Sequence, residues 1–204
     1  NSKIFIRINA AHSEFFNDDI DCVIQSIKRG MPIGGLFLPK TEDYEDIERI
    51  HEILNQNEIH LDTVPMIETN QSYRNLSSIL SEDLNNNLIS KVHYGHFDYC
   101  LDSNLWPFPD PFHTDYWKII KPMVELLTQH KKVYIHTPFP FPNDQELFWS
   151  SQFYLRALIP KLNFWACTLN AELSLSDCPL EIKDLYLEEI NNNEDELMAE
   201  AELI

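Results

Sequence analysis

Two short apolar runs, thirty residues apart, each end in a carboxylate, and this spacing limits what the chain can fold into. Val64 to Ile67 runs into Glu68, and Lys91 to Tyr94 leads to Asp98. The interval suits one strand-loop-helix unit. If the two runs are neighbouring parallel strands, both carboxylates emerge at the same C-terminal edge. In barrels and doubly wound sheets that edge carries the functional groups. Two adjacent carboxylates there would form a hard oxygen site for a divalent cation. Taken singly, each also reads as a helix cap or the partner of a surface lysine.

The rest of the chain keeps the same beat. Lys3 to Ile8, Gly34 to Lys40, Thr63 to Ile67, Lys91 to Tyr94, Val133 to His136 and Asn163 to Thr168 read as strands from their β-branched and aromatic residues. Between them, apolar residues recur at helical spacing. Ile20, Val23, Ile24 and Ile27 follow a cap at Asn17. Tyr44, Ile47, Ile50 and Leu54 form the next stripe, and a helix from Ser72 buries Leu76, Ile79, Leu80 and Leu84. Further helices run through Pro122, with a bend there, and over 144–158. Regular β/α alternation implies right-handed crossovers and a parallel sheet. The fold expected is an α/β barrel, with a doubly wound parallel sheet as the alternative. The barrel domain is placed at 1–176 and an acidic helical tail at 177–204.

Composition removes several functions. The formal charge of −18 over 204 residues would repel phosphates, so no nucleic-acid partner is expected. No apolar run reaches membrane-spanning length, and none is expected to insert. Four cysteines without Cys-x-x-Cys spacing point to a reduced, cytoplasmic protein. Four glycines form no phosphate-cradling loop.

Four motifs in order resemble the citrate lyase beta-subunit and hydroxy-acid aldolase family of metal-dependent (β/α)8 barrels. Ile4 to Ala10 resembles its third strand, and Gly35 to Lys40 its Pro-Lys strand. Met66 to Asn75 resembles its Ile-Glu-Thr motif, and Tyr94 to Tyr99 its Gly-x-x-Asp motif. The resemblance covers residues 3–100 and implies a Mg2+- or Mn2+-dependent carbon-carbon lyase or aldolase. Its substrate would be a small oxo- or hydroxy-acid or its acyl thioester, and the protein a homo-oligomer. Glu68 and Asp98 match the metal ligands, and Arg7 the arginine that grips the substrate. Because the motifs begin at the family's third strand, about 60 residues supplying two strand-helix units are expected to precede Asn1. The family's glycine after the aspartate and its closing strand are replaced here. That departure leaves room for another reading, a catalytically reduced barrel acting as a binding or assembly module.

Other candidates come from position alone. His96, near the end of the fourth strand, and His136, at the end of the fifth, are candidate acid/base groups. His93 is expected to face away from Asp98 and to be packed. Two proline runs, at Pro107, Pro109 and Pro111 and at Pro138, Pro140 and Pro142, are interleaved with aromatics. They are expected either to wall the substrate, with Trp106 and Phe139 in contact with it, or to pack on the rim or a partner subunit.

Overall fold

A computed structural model describes residues 4–168 apart from positions 112 and 142. The expected boundary at 176 and the acidic helical tail lie outside these residues. Six strands form one parallel sheet in sequential order: β1 (Ile4–Arg7), β2 (Ile33–Leu38), β3 (Asp62–Ile67), β4 (Lys91–Tyr94), β5 (Val133–Ile135) and β6 (Phe164–Trp165). A doubly wound sheet would reverse direction at a switch point. Here each strand lies beside its predecessor throughout, so that alternative is overturned. The sheet is an open part of a barrel, curled far enough for side chains of its first and last strands to touch. The Phe5 and Trp165 rings stand edge-on across the inside at 6.4 Å, and the Lys91 ammonium lies over both.

Alternation along the strands separates two faces. Leu36 and Leu38 of β2, Ile67 of β3, Val92 and Tyr94 of β4 and Tyr134 of β5 face outward into the main apolar core. The helices of the outer layer complete that core: α1 (Phe16–Lys28), α2 (Glu45–Gln56), α3 (Asn70–Asn86), α5 (Thr114–Gln129) and α6 (Gln145–Leu158). Phe37, Met66, His93 and Ile135 alternate with these residues and face inward. Gly35 is needed at its place because a Cβ there would stand 2.3 Å from the Phe5 ring, which crosses over it.

Helix ends show where sequence reading was imprecise. Asn17 does not cap α1; the N-cap is Phe15, without a side-chain hydrogen bond, and Asn17 accepts from Arg49 instead. α3 starts two residues before the expected Ser72 because Thr69 and Ser72 form a capping box. Leu84, expected on its buried face, is 67% exposed. A short helix that the sequence did not suggest, α4 (His96–Asp102), begins immediately after β4 and carries Asp98 in its first turn. α5 passes through Pro122 as a single helix. Among the described residues, no helix is long and apolar enough to cross a membrane.

Candidate active site

β3 ends at Ile67, so Glu68 follows with the inward parity of Val64 and Met66. Its side chain is 1% exposed. The backbone around it is held by Ser72, whose hydroxyl accepts from the N–H groups of Glu68 (3.2 Å) and Thr69 (3.0 Å). Thr69 in turn donates to Glu42, whose carbonyl accepts from Asn75 at 2.8 Å. The loop after β2 is thereby tied to α3. Within that loop Lys40 adopts a positive φ of 51°, and its N–H donates to Glu68 Oε1 at 3.1 Å. Arg7, at the end of β1, approaches the same oxygen at 3.6 Å while its side chain stays 56% exposed.

The second oxygen is different. Glu68 Oε2 is buried and has no hydrogen-bond partner. The register of β3 on β4 pairs Met66 with His93 and Ile67 with Tyr94, which places Gly95 beside Glu68. A Cβ on Gly95 would stand 2.7 Å from Oε2, so only glycine leaves this oxygen clear. Burial raises the Glu68 carboxyl above the ordinary glutamate range; Arg7 opposes the rise and the negative charge of Asp98 adds to it.

Arg7, Glu68 and Asp98 line one cavity of about 340 Å3, with Phe37, Met66, Phe97, Ile135 and Pro138 among its apolar walls. Such a volume lies at the small end of ligand pockets. Besides the three charged residues the lining is mostly apolar, with His93, His96 and Thr137 as its other polar groups. A buried carboxylate oxygen without a partner, near a second carboxylate, suits a divalent cation, which would satisfy the one and offset the repulsion of the other. No group of three or more metal-ligating side chains occurs among the described residues, so a cation here would have two protein carboxylates at most as donors. That number leaves coordination positions for water and a chelating acid.

No family model and no curated protein sequence matches this chain. Solved structures match it through their fold. A citrate lyase from Burkholderia xenovorans superposes with a TM-score of 0.67 at 15% identity, covering 82% of this chain and 54% of that one. The fold is that of the citrate lyase enzymes. The citrate lyase beta subunit from M. tuberculosis, complexed with oxaloacetate and magnesium, gives a TM-score of 0.61 at 12% identity, over 84% of this chain and 70% of that chain. The Haloferax volcanii malate synthase in its pyruvate and acetyl-CoA complex gives 0.67 at 15% identity, over 82% and 48%. The chain thus spans about half the length of the Burkholderia and Haloferax proteins.

Within this citrate-lyase-type fold the other candidates are redistributed. His93 faces the cavity instead of turning away from Asp98. The expected parity was carried from Asp98 back along a strand, but β4 stops at Tyr94 and Asp98 belongs to a helix. His96 touches the cavity, yet both its ring nitrogens are engaged. Nε2 lies 2.6 Å from the Pro109 carbonyl and therefore donates, and Nδ1 lies 3.2 Å from the Tyr94 hydroxyl. Burial lowers its basicity. His96 pins the first proline run to α4 while lining the cavity in which an acid/base group was expected of it. His136 is held between the Tyr134 hydroxyl (2.8 Å) and the Tyr116 hydroxyl (3.1 Å), and burial pushes it down to about 3.

The expected aromatic contacts are also corrected. Trp106 is 77% exposed and packs edge-on against Phe108, away from the cavity lining. Phe139 is buried in a separate small cluster with Leu147 and Phe148. The two proline runs do meet, around a smaller cavity of about 180 Å3 that shares His96, Phe97, Thr137 and Pro138 with the first. Thr137 and Cys167, which complete the first cavity, were missed. Their signal was available, since each lies just beyond a strand on the Glu68 parity.

Proposed function

We propose that this cavity is the site of a Mg2+- or Mn2+-dependent carbon-carbon lyase or aldolase that acts on a small oxo- or hydroxy-acid. The observation that carries the reading is the bare, buried Oε2 of Glu68, facing the same cavity as Asp98 and Arg7. Glu68 and Asp98 would hold the cation. When bound, such an ion polarises a ketone oxygen and stabilises an enolate. Arg7 presents a half-exposed guanidinium that touches Glu68 with one nitrogen, leaving further donors for a substrate carboxylate. Phe37, Met66 and Ile135 exclude water from the inner part of the cavity, which strengthens these polar contacts. The magnesium complexes of M. tuberculosis citrate lyase beta subunit with oxaloacetate and of the related protein with pyruvate support the choice of ligand class.

Calorimetry with Mg2+ and Mn2+ tests the reading. Asp98→Asn is expected to remove cation binding while leaving the unfolding midpoint unchanged, because its side chain is exposed and outside the core. Unchanged cation affinity in that variant would overturn the metal assignment. Arg7→Lys is expected to retain the cation and to weaken pyruvate or oxaloacetate binding by about tenfold or more, since a lysine keeps the charge but loses the planar fork. The reduced-barrel alternative draws on the locked ring nitrogens of His96 and His136. It predicts a stable protein that takes up neither Mg2+ nor Mn2+.

A further inference from the structure

Three histidines sit at the C-terminal ends of β4 and β5, and they differ in one respect. His96 and His136 have hydrogen-bond partners at both ring nitrogens. His93 is 6% exposed, and its Nδ1 is buried without a partner. The ring lines the cavity one step below the Gly95 and Glu68 level, in register with Met66 on β3 and Ile135 on β5. Phe37 meets it edge-on at 5.6 Å. An imidazole nitrogen buried among apolar walls is costly unless something hydrogen-bonds to it. Among the described residues, five buried side-chain atoms lack partners, and only Glu68 Oε2 and His93 Nδ1 belong to a cavity lining. One is at the charged end and the other is deeper. Burial, with Arg7 adding to it, lowers His93 to about 4, so the ring is neutral near pH 7.

We propose that His93 is a substrate-selecting residue, offering a hydrogen bond from the cavity floor to an oxygen at the far end of an acid whose carboxyl end lies at Arg7, Glu68 and Asp98. The substrate is then an oxo- or hydroxy-acid with a hydroxyl or carbonyl at its distal end, where Phe37, Met66 and Ile135 supply apolar walls around His93. This inference rests on the lyase-site reading for the position of the acid. A site built to hydrogen-bond such an oxygen rejects the analogue that lacks it, because its own buried group is then left unpaired.

The test is calorimetric binding to the full chain in Mg2+ with two matched pairs of probes. These are 2-oxobutanoate against 4-hydroxy-2-oxobutanoate, and 2-oxopentanoate against 5-hydroxy-2-oxopentanoate. The wild type is expected to bind one hydroxylated member about tenfold more tightly than its partner, as one well-made hydrogen bond allows. His93→Leu is expected to bring that ratio to about one. His93→Asn, whose amide stands near the Nδ1 position, should keep part of the preference. If His93→Leu does not fold, His93→Met carries the same comparison. A preference unaltered in the apolar variant, or no preference in a wild type that binds the plain acids, overturns the role of His93. Failure of every acid to bind overturns the site reading itself and this inference with it.

Discussion

Asp83 and Glu68 are both buried carboxylates, at opposite ends of the sheet, and their surroundings could hardly differ more. Asp83, on α3 near the N-terminal edge, is saturated. Its Oδ1 accepts from the N–H groups of Leu88 (2.7 Å) and Ile89 (3.1 Å) and from the Tyr44 hydroxyl (3.3 Å). Its Oδ2 accepts from the buried Lys132 ammonium at 2.6 Å, which donates onward to the Ile89 carbonyl at 2.7 Å. The pair joins α2, α3 and the entries to β4 and β5. Glu68, at the C-terminal edge, has one oxygen served by a single N–H and a half-exposed arginine, and the other by nothing. A saturated buried charge specifies structure; one left half-satisfied in a cavity is available for a ligand.

The first way to break the comparison is Asp83→Ala. It strands the Lys132 ammonium in the interior and leaves two N–H groups unserved, which is expected to lower stability by about 3–5 kcal/mol. Urea unfolding measures this directly. Glu68→Ala is expected to change stability by no more than about 1 kcal/mol, since the carboxylate has little to lose. Comparable losses in the two variants would show that Glu68 is as structural as Asp83.

Gly95→Ala comes next in size. The added methyl would stand 2.7 Å from both Cβ and Oε2 of Glu68, so the segments that follow β3 and β4 must shift to admit it. Overpacking of this kind costs about 1–3 kcal/mol. Because the clash falls on the free oxygen, cation affinity should fall with stability. A stability loss with unchanged Mg2+ binding would mean that Oε2 is not a ligand.

How much of this was legible in the sequence follows from the two ends. Strand order, the parallel sheet and the meeting of Arg7, Glu68 and Asp98 at one edge were legible, because hydrophobic period and regular spacing fix which edge each residue reaches. The orientation of His93 was not, because parity fails where β4 gives way to α4 after Tyr94. The partners of His96 and His136 were not foreseen either: each ring reaches the hydroxyl of the tyrosine two residues before it, Tyr94 and Tyr134, a contact that strand spacing alone does not announce. Trp106 and Phe139 were assigned by loop position, which says nothing of where a side chain turns. Asp83 could not be singled out among 33 acidic residues, since its partners lie across three other elements.

The smallest effect concerns pH, and it turns on the sign of the Glu68 shift. Burial raises the Glu68 carboxyl in the folded protein relative to the unfolded chain. Between the unfolded and folded values the native state therefore binds more protons, and stability falls as pH rises through that window. The usual salt-bridged carboxylate, with its folded value depressed, does the reverse and loses stability as pH falls. In metal-free protein the wild type should therefore lose stability relative to Glu68→Gln as pH climbs from the ordinary glutamate range through the folded value, while the difference stays constant above it. Saturating Mg2+ should cancel the loss, because a cation held by the ionised carboxylate favours the deprotonated native state. Urea midpoints at a series of pH values, with and without Mg2+, provide the measurement. A wild type that gains stability over Glu68→Gln as pH rises would mean that Arg7 and the Lys40 N–H already outweigh burial, so that Glu68 behaves as an ordinary salt-bridged carboxylate.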